Sequence, residues 1–209
     1  MKLKTTKLLL ASSLLIATGI ASAADPAGYY GGLSVGRSRI DSNLGAIDGS
    51  LSSAAGLTGL SSSIDRNDTG FKLRFGYDFV QGLAVEAGYI DFGKAAYNGS
   101  FTGGSASGSI KASGVNLDLL GKLPLSQNVT MFGKAGMLFS SLKTEASANG
   151  VSIGDTSHRV VPGLGFGMDY SLTRSLALRA EVERYYRLGN DNTGKSDADL
   201  LSVGLNARF

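Results

Sequence analysis

The last nine residues alternate without a break. Leu201, Val203, Leu205, Ala207 and Phe209 fall on one side of an extended chain, and Ser202, Gly204, Asn206 and Arg208 on the other, because successive side chains of a strand point to opposite faces. A strand with one apolar face and one polar face, ending in an aromatic residue, reads as the closing strand of a transmembrane β-barrel. The same pattern recurs upstream, so it constrains the whole chain and not just its end.

Seven further segments of period two precede it. They cover residues 29–39, 69–78, 83–91, 112–123, 129–142, 159–172 and 176–187. In the second, Phe71, Leu73, Phe75 and Tyr77 oppose Gly70, Lys72, Arg74 and Gly76; in the sixth, Leu164, Phe166, Met168 and Tyr170 oppose Gly163, Gly165, Gly167 and Asp169. Repeated alternating segments of about ten residues are the sequence signature of a membrane barrel. The connections alternate in length. Residues 80–82, 124–128 and 173–175 are tight turns; residues 40–68, 92–111, 143–157 and 188–197 are long and rich in Gly, Ser and Asn. Three short and four long connections are what eight strands require. Short turns belong to the periplasmic side of such barrels and long ones to the outside, so both termini are expected in the periplasm.

The front of the chain fits this destination. Lys2, Lys4 and Lys7 precede an apolar run from Leu8 to Ile20, then Ala21, Ser22 and Ala23, as in a secretory signal peptide with a small-residue cleavage site. Removing residues 1–23 takes three lysines and no acid. Lys+Arg then falls from 20 to 17 against Asp+Glu 17, and a near-neutral mature chain gives no support to nucleic-acid binding. Residues 24–209 are expected to form one domain. With no cysteine there is no disulfide framework, and no later apolar run is long enough for a membrane helix. A closed barrel is the other structure that satisfies its backbone inside lipid.

Alternation alone leaves open which face points outward, since a soluble eight-stranded barrel would turn its apolar face inward. Here the apolar face carries large residues and the polar face is dense in glycine. The lumen of eight strands has room for little more than side chains, so the glycine-rich face is expected inside. Aromatic residues gather near strand ends, with Tyr29, Tyr77, Phe79, Tyr170 and Phe209 at one rim and Tyr89, Phe92, Phe139 and Tyr186 at the other, which predicts two interfacial girdles.

The order and spacing of several short runs resemble the OmpA-like transmembrane domain of bacterial outer membranes, over nearly all of the mature chain. They are Tyr29-Tyr30-Gly31-Gly32-Leu33-Ser34-Val35-Gly36, Val85-Glu86-Ala87-Gly88-Tyr89, Leu123-Pro124-Leu125-Ser126, Phe132-Gly133-Lys134-Ala135-Gly136, Gly167 to Thr173, and Leu178-Arg179-Ala180-Glu181. Full-length members often add a periplasmic peptidoglycan-binding domain, and this chain, ending at Phe209, is expected to lack it. The resemblance also implies interior acids and bases able to exchange partners and open a narrow ion path. By position Glu86 and Arg179 match one such pair and Asp169 a further acid, while Leu120 replaces an interior lysine of the family.

The polar faces supply a charge network of Lys72, Arg74, Lys134 and Arg179 against Glu86, Asp118, Asp169 and Glu181, with Lys122 on the same face. Two readings follow: a structural network that plugs the barrel, which the residues favour, and a narrow gated channel. A lipid-modifying enzyme is the third class. His158 is the only histidine, and its neighbour Ser157 would point to the opposite face, so no catalytic residue is assigned. No cofactor is expected, and no metal: Asp41, Asn43, Asp48, Asp191, Asn192 and Asp197 read as solvated loop polarity. Arg37, Arg39 and Arg184 lie on the outward parity near the external end, as candidate contacts for lipopolysaccharide phosphates. Leu201, Val203, Leu205 and Phe209 are the candidate signal for the barrel-assembly machinery. Expected partners are therefore outer-membrane lipids and lipopolysaccharide, that machinery, and host or matrix surface ligands through four mobile external loops.

Overall fold

Nearly every alternating run becomes a strand. The computed structural model describes residues 28–41, 53, 61–80, 82–102, 104–148, 151–188 and 196–209. The expected signal peptide lies outside these, as do Leu44, Ile47, Leu51, Leu57 and Leu60 of the first long connection, and Asn43, Asp48, Asp191 and Asn192. The strands are β1 (Gly28–Asp41), β2 (Ser61–Asp65), β3 (Asn67–Val80), β4 (Leu83–Phe101), β5 (Gly104–Pro124), β6 (Val129–Ala148), β7 (Val151–Ser171), β8 (Leu176–Leu188) and β9 (Ser196–Arg208). β2 and β3 both pair with β4, through Asp65↔Ala96 and Phe71↔Asp91, so they are two runs of one stave broken at Arg66. Opposite the break, β4 carries a bulge between Asp91 and Lys94. There Gly93 takes φ 71°, and the Asp68 carboxylate accepts a hydrogen bond from the Lys94 backbone N–H at 2.8 Å. The bulge thus needs glycine and is clipped by its neighbour.

Each stave pairs antiparallel with the next, and β9 closes on β1. The result is a closed eight-stranded antiparallel barrel. Its stagger can be read from the register. Starting at Gly32, one direction runs through Arg74, Gly88, Asn116 and Leu138 to Val161. The other runs through Asn206 and Ala177 to Ser171. The two arrivals on β7 differ by the ten residues between Val161 and Ser171. Such a shear tilts the strands steeply, roughly 35–45° from the barrel axis.

The large apolar residues face outward. Leu33, Leu73, Phe75, Leu117, Leu119, Met137, Leu164, Phe166, Val182 and Val203 are each about half exposed, at 45–57%. Inward glycines make the room that the lumen needs. A Cβ on Gly163 would lie 2.5 Å from the Tyr185 ring, and one on Gly76 or Gly167 would run into the rings of Tyr30 or Phe132. At one rim Tyr29 stacks on Phe75 at 5.7 Å between centroids, and Phe75 meets Phe209 at 6.2 Å. The other rim differs from the expected girdle: Phe92 is fully buried in the lumen.

Two of the expected long loops are strand. β4 and β5 stay paired to Phe101↔Gly104, and β6 and β7 to Ala148↔Val151, so residues 92–101 with 104–111, and 143–148 with 151–157, form the arms of two long β-hairpins. The reason they read as loops is physical. Below Tyr89, Val115, Phe139 and Val160 the outward face is apolar. Above that level it becomes Lys94, Asn98, Lys111, Ser107, Ser141, Lys143, Thr156 and His158, while Ala95, Tyr97, Ile110, Leu142 and Ala146 are buried inward. The two faces exchange character where the surroundings change from lipid to water, and a pattern sought as apolar-outward ends there.

Candidate functional site

Along four staves the inward residues follow a common progression. On β4 they are Ala84, Glu86, Gly88, Ile90 and Phe92; on β5, Lys122, Leu120, Asp118, Asn116, Gly114 and Ala112; on β6, Phe132, Lys134, Gly136, Leu138, Ser140 and Leu142; on β8, Arg179, Glu181, Glu183, Tyr185 and Leu188. The lumen is therefore stratified. From the short-turn end it holds a polar mouth, a small apolar ring, a charged layer and a thick apolar plug.

At the mouth, Lys122 Nζ donates to Asp78 Oδ1 at 2.6 Å, and Arg208 pairs with the other oxygen. This corrects the place of Lys122, which belongs to the mouth and not to the central network. Its longer reach along β5, two residues beyond Leu120, carries it past the ring. That ring is Tyr30, Ala84, Leu120 and Phe132. Arg179 lies over it, its guanidinium 4.3 Å from the Phe132 centroid.

The charged layer is continuous. Arg179 donates from Nε and Nη2 to both oxygens of Asp169, at 2.7 and 2.8 Å, and from Nη1 to Glu86 Oε2 at 2.7 Å. Lys72 Nζ lies 2.9 Å from Glu183, 3.2 Å from Glu181 and 3.5 Å from Glu86. Lys134 Nζ lies 2.9 Å from Glu181, 2.5 Å from Glu183 and 3.9 Å from Asp118. Arg74 gives Nη1 to Glu181 at 2.9 Å, Nε to Asn206 at 2.6 Å and Nη2 to Ser34 at 2.5 Å. The layer thus gathers all eight charges of the expected set apart from Lys122. It adds Glu183, buried and bonded by the Tyr185 hydroxyl at 2.8 Å, so four cations face five carboxylates. Glu183 shares its parity with Arg179 and Glu181, which is the signal that would have included it.

Above lies what the sequence pattern did not reveal. Thirteen buried residues cluster across the lumen, among them Ile40, Ile90, Phe92, Leu138, Leu142, Val161, Leu188 and Leu200. Phe92 meets Tyr185 edge-on at 5.7 Å. Moving a bare charge through such a layer costs at least several kcal/mol.

The remaining candidates lie outside. Arg37, Arg39 and Arg184 are exposed above the belt. Arg39 is paired to Asp41 at 2.9 Å, and Arg184 grips Asp199 with Nε and Nη2 at 2.6 and 2.8 Å. His158 points outward, in register with Ser141, while Ser157 is buried on the opposite face. Leu201, Val203, Leu205 and Phe209 face outward with exposures of 58, 54, 47 and 56%. Among the described residues no group of three or more His, Cys, Asp or Glu side chains is placed to hold a metal ion.

With the geometry in hand, comparison with known proteins gives consistent findings. The family described as OmpA-like transmembrane domain matches residues 24–209. Outer membrane protein A of Yersinia pseudotuberculosis is 30% identical over 139 residues, which cover 65% of this chain and 38% of that protein. Outer membrane protein A of Klebsiella pneumoniae is 28% identical over 138 residues, 64% of this chain and 39% of that protein. The chain therefore spans under two-fifths of the length of these relatives. Among solved structures, Ail of Yersinia pestis in complex with the heparin analogue sucrose octasulfate superposes with a TM-score of 0.51 at 15% identity, covering 87% of this chain and 99% of that one. Neisserial surface protein A gives 0.52 at 16% identity, with 88% and 100% covered. At such identities the likeness is one of fold.

Proposed function

The chain belongs to the OmpA-like transmembrane domain family, and from that premise we propose that this outer-membrane barrel is a sealed anchor that presents two long β-hairpins to the cell exterior for binding surface ligands. One observation carries the reading: on β4 to β7 the outward face turns from apolar to polar while the lumen at the same level stays filled with apolar side chains. A barrel built this way offers water no path through it and a stiff sheet above it. In this reading the short turns and both termini face the periplasm, as in other outer-membrane barrels.

The hairpin sheet carries Lys94, Lys111 and Lys143 on its outer side. Lys143 lies 2.7 Å from Glu145, and its hydrogen bond and charge hold that carboxyl below its ordinary value. Lys111 lies 3.4 Å from Asp91, so a sulfated glycan would exchange Asp91 and Glu145 for its own sulfates on these lysines, and Ail, the structural neighbour bound to a heparin analogue, is consistent with such a ligand class. Arg37, Arg39 and Arg184 would face lipopolysaccharide phosphates, exchanging Asp41 and Asp199 for them, and the outward C-terminal residues would be read by the barrel-assembly machinery. No catalytic role is assigned: His158 and Ser157 lie on opposite faces of β7. The channel reading keeps the Arg179–Glu86 pair as its gate, but the apolar plug stands above that pair and weakens it. The test is binding of whole cells to immobilised heparin and matrix proteins, with and without the hairpin tips. Equal binding by cells carrying shortened hairpins would refute the presenting role.

A further inference from the structure

We propose that the mouth at the short-turn end is a binding site for a small oxyanion, a phosphate or a carboxylate group. A cavity of about 140 Å³ opens there, and its walls include Lys122, Arg174, Arg179 and Arg208 but only one acid, Asp169. The orientation proposed above decides only which compartment supplies the ligand.

The acceptors of this mouth are already spent. Both oxygens of Asp169 take hydrogen bonds from Arg179. Both oxygens of Asp78, just behind the wall, are engaged by Lys122 and Arg208. Donors remain in excess. An ammonium has three N–H groups and a guanidinium five, and Lys122 and Arg208 each use one on Asp78. Arg174 makes no ion pair with the described residues. Asn206 accepts from Arg74 on its carbonyl oxygen at 2.6 Å, so its amide N–H groups are what it can offer to the cavity. Arg179 also bonds Glu86, so the four cations face three carboxylates, Asp169, Asp78 and Glu86, and one positive charge remains in surplus.

The scaffold is fixed before any ligand arrives. The Leu172 N–H donates to the Leu176 carbonyl at 2.9 Å, the Arg208 N–H to the Ser175 carbonyl at 2.8 Å, and the Leu176 N–H to Thr173 Oγ1 at 3.0 Å. These bonds hold Arg174 and Arg208 on adjacent walls, where planar guanidinium forks suit an oxyanion. The cavity is far below the roughly 300–1,000 Å³ of drug-sized sites, so the ligand is a single small group. It would give Arg174 its first charge-assisted partner and Arg208 a second one beside Asp78, without displacing Asp169 from Arg179.

The test uses the mature chain, residues 24–209, folded in a non-ionic maltoside detergent. Inorganic phosphate and, separately, succinate are titrated at constant ionic strength held with chloride, and backbone amide shifts are followed by NMR. Saturable shifts at Ser171, Thr173, Arg174 and Arg208, with none at Lys143 or Glu145, are expected; whichever anion saturates first names the ligand chemistry. The pair Arg174→Gln with Arg208→Gln should weaken binding by about tenfold or more, as loss of charged hydrogen bonds would. Arg187→Gln, an exposed position at the far end of β8, should leave it unchanged. Arg174→Gln alone, in an exposed turn, keeps the test valid if the double variant does not fold, and should weaken binding severalfold. Shifts that grow linearly to the highest concentration, that appear equally at both ends of the barrel, or that survive Arg174→Gln unchanged would overturn the proposal.

Discussion

Glu86 is held on three sides, by Arg179, Lys72 and the Tyr30 hydroxyl at 3.2 Å, with no exposure to solvent. A buried ion pair is weak evidence for stability, because desolvation offsets attraction, yet removing one partner strands the other. Glu86→Ala is therefore expected to lower stability by about 3–5 kcal/mol, read by urea unfolding in lipid vesicles. In planar bilayers the same variant should stay silent, since Leu138, Leu142 and Phe92 still fill the lumen above it. Steady current from Glu86→Ala alone would show that the charged layer is the only seal. Packing makes a separate prediction at Gly163, whose missing side chain is the seat of the Tyr185 ring. Gly163→Val should overpack that contact and cost about 1–3 kcal/mol, while Gly121→Ala, with nothing within 4 Å of its added Cβ, should be neutral in the same assay.

At the scale of elements, the long hairpins and the membrane staves are continuous strands under two different selections. The part in lipid must be apolar outside; the part in water must be apolar inside if it is to have a core at all. Register allows the two parts to be separated experimentally. Ala96 and Ser109 are paired across β4 and β5, so residues 97–108 can be replaced by Asn-Gly, which favours a two-residue hairpin turn. The shortened protein is expected to keep its heat-modifiable gel migration, because the plug residues Ile90, Leu138 and Leu142 are untouched, and, with Lys94 and Lys111 also replaced by Gln, to lose binding to surface ligands. Loss of folding would mean that the hairpin tip belongs to the barrel core. β8 offers a second case. Its pairing with β9 shifts between Tyr185 and Leu188, and Arg187 there has φ 61°. Arg187→Gly is expected to raise stability by up to about 1 kcal/mol, because glycine meets no Cβ penalty in that region.

For the whole molecule, the stratified lumen joins two tasks. The charged layer ties β3 through β9 across the barrel, and the plug fills the end nearest the hairpins, so the staves support a rigid sheet above the membrane. Direction relative to the membrane has a clean test because the chain contains no cysteine. A single Ser107→Cys should react with a membrane-impermeant maleimide on intact cells, and Ser126→Cys should react only after the outer membrane is opened. The reverse pattern would invert the proposed orientation and, with it, the compartment that supplies the anion at the mouth.

The strands in lipid and their facing are legible in the amino-acid order, since a period of two with large apolar residues opposite glycine and charge admits one arrangement inside a bilayer. Most of the charged layer is legible there too, because Lys72, Arg74, Glu86, Lys134, Arg179 and Glu181 share the inward parity of their strands. The tertiary structure decided the rest. Which acid meets which base depends on the stagger of ten residues around the barrel, which no single strand encodes; this is why Lys122 pairs with Asp78 and why Glu183 enters the network. The hairpins were hidden for a related reason. Ile110 and Leu142 look like isolated apolar residues in a polar stretch until strand pairing places them in one lumen with Phe92 and Leu188, and burial is a property of that assembled lumen, not of any one strand.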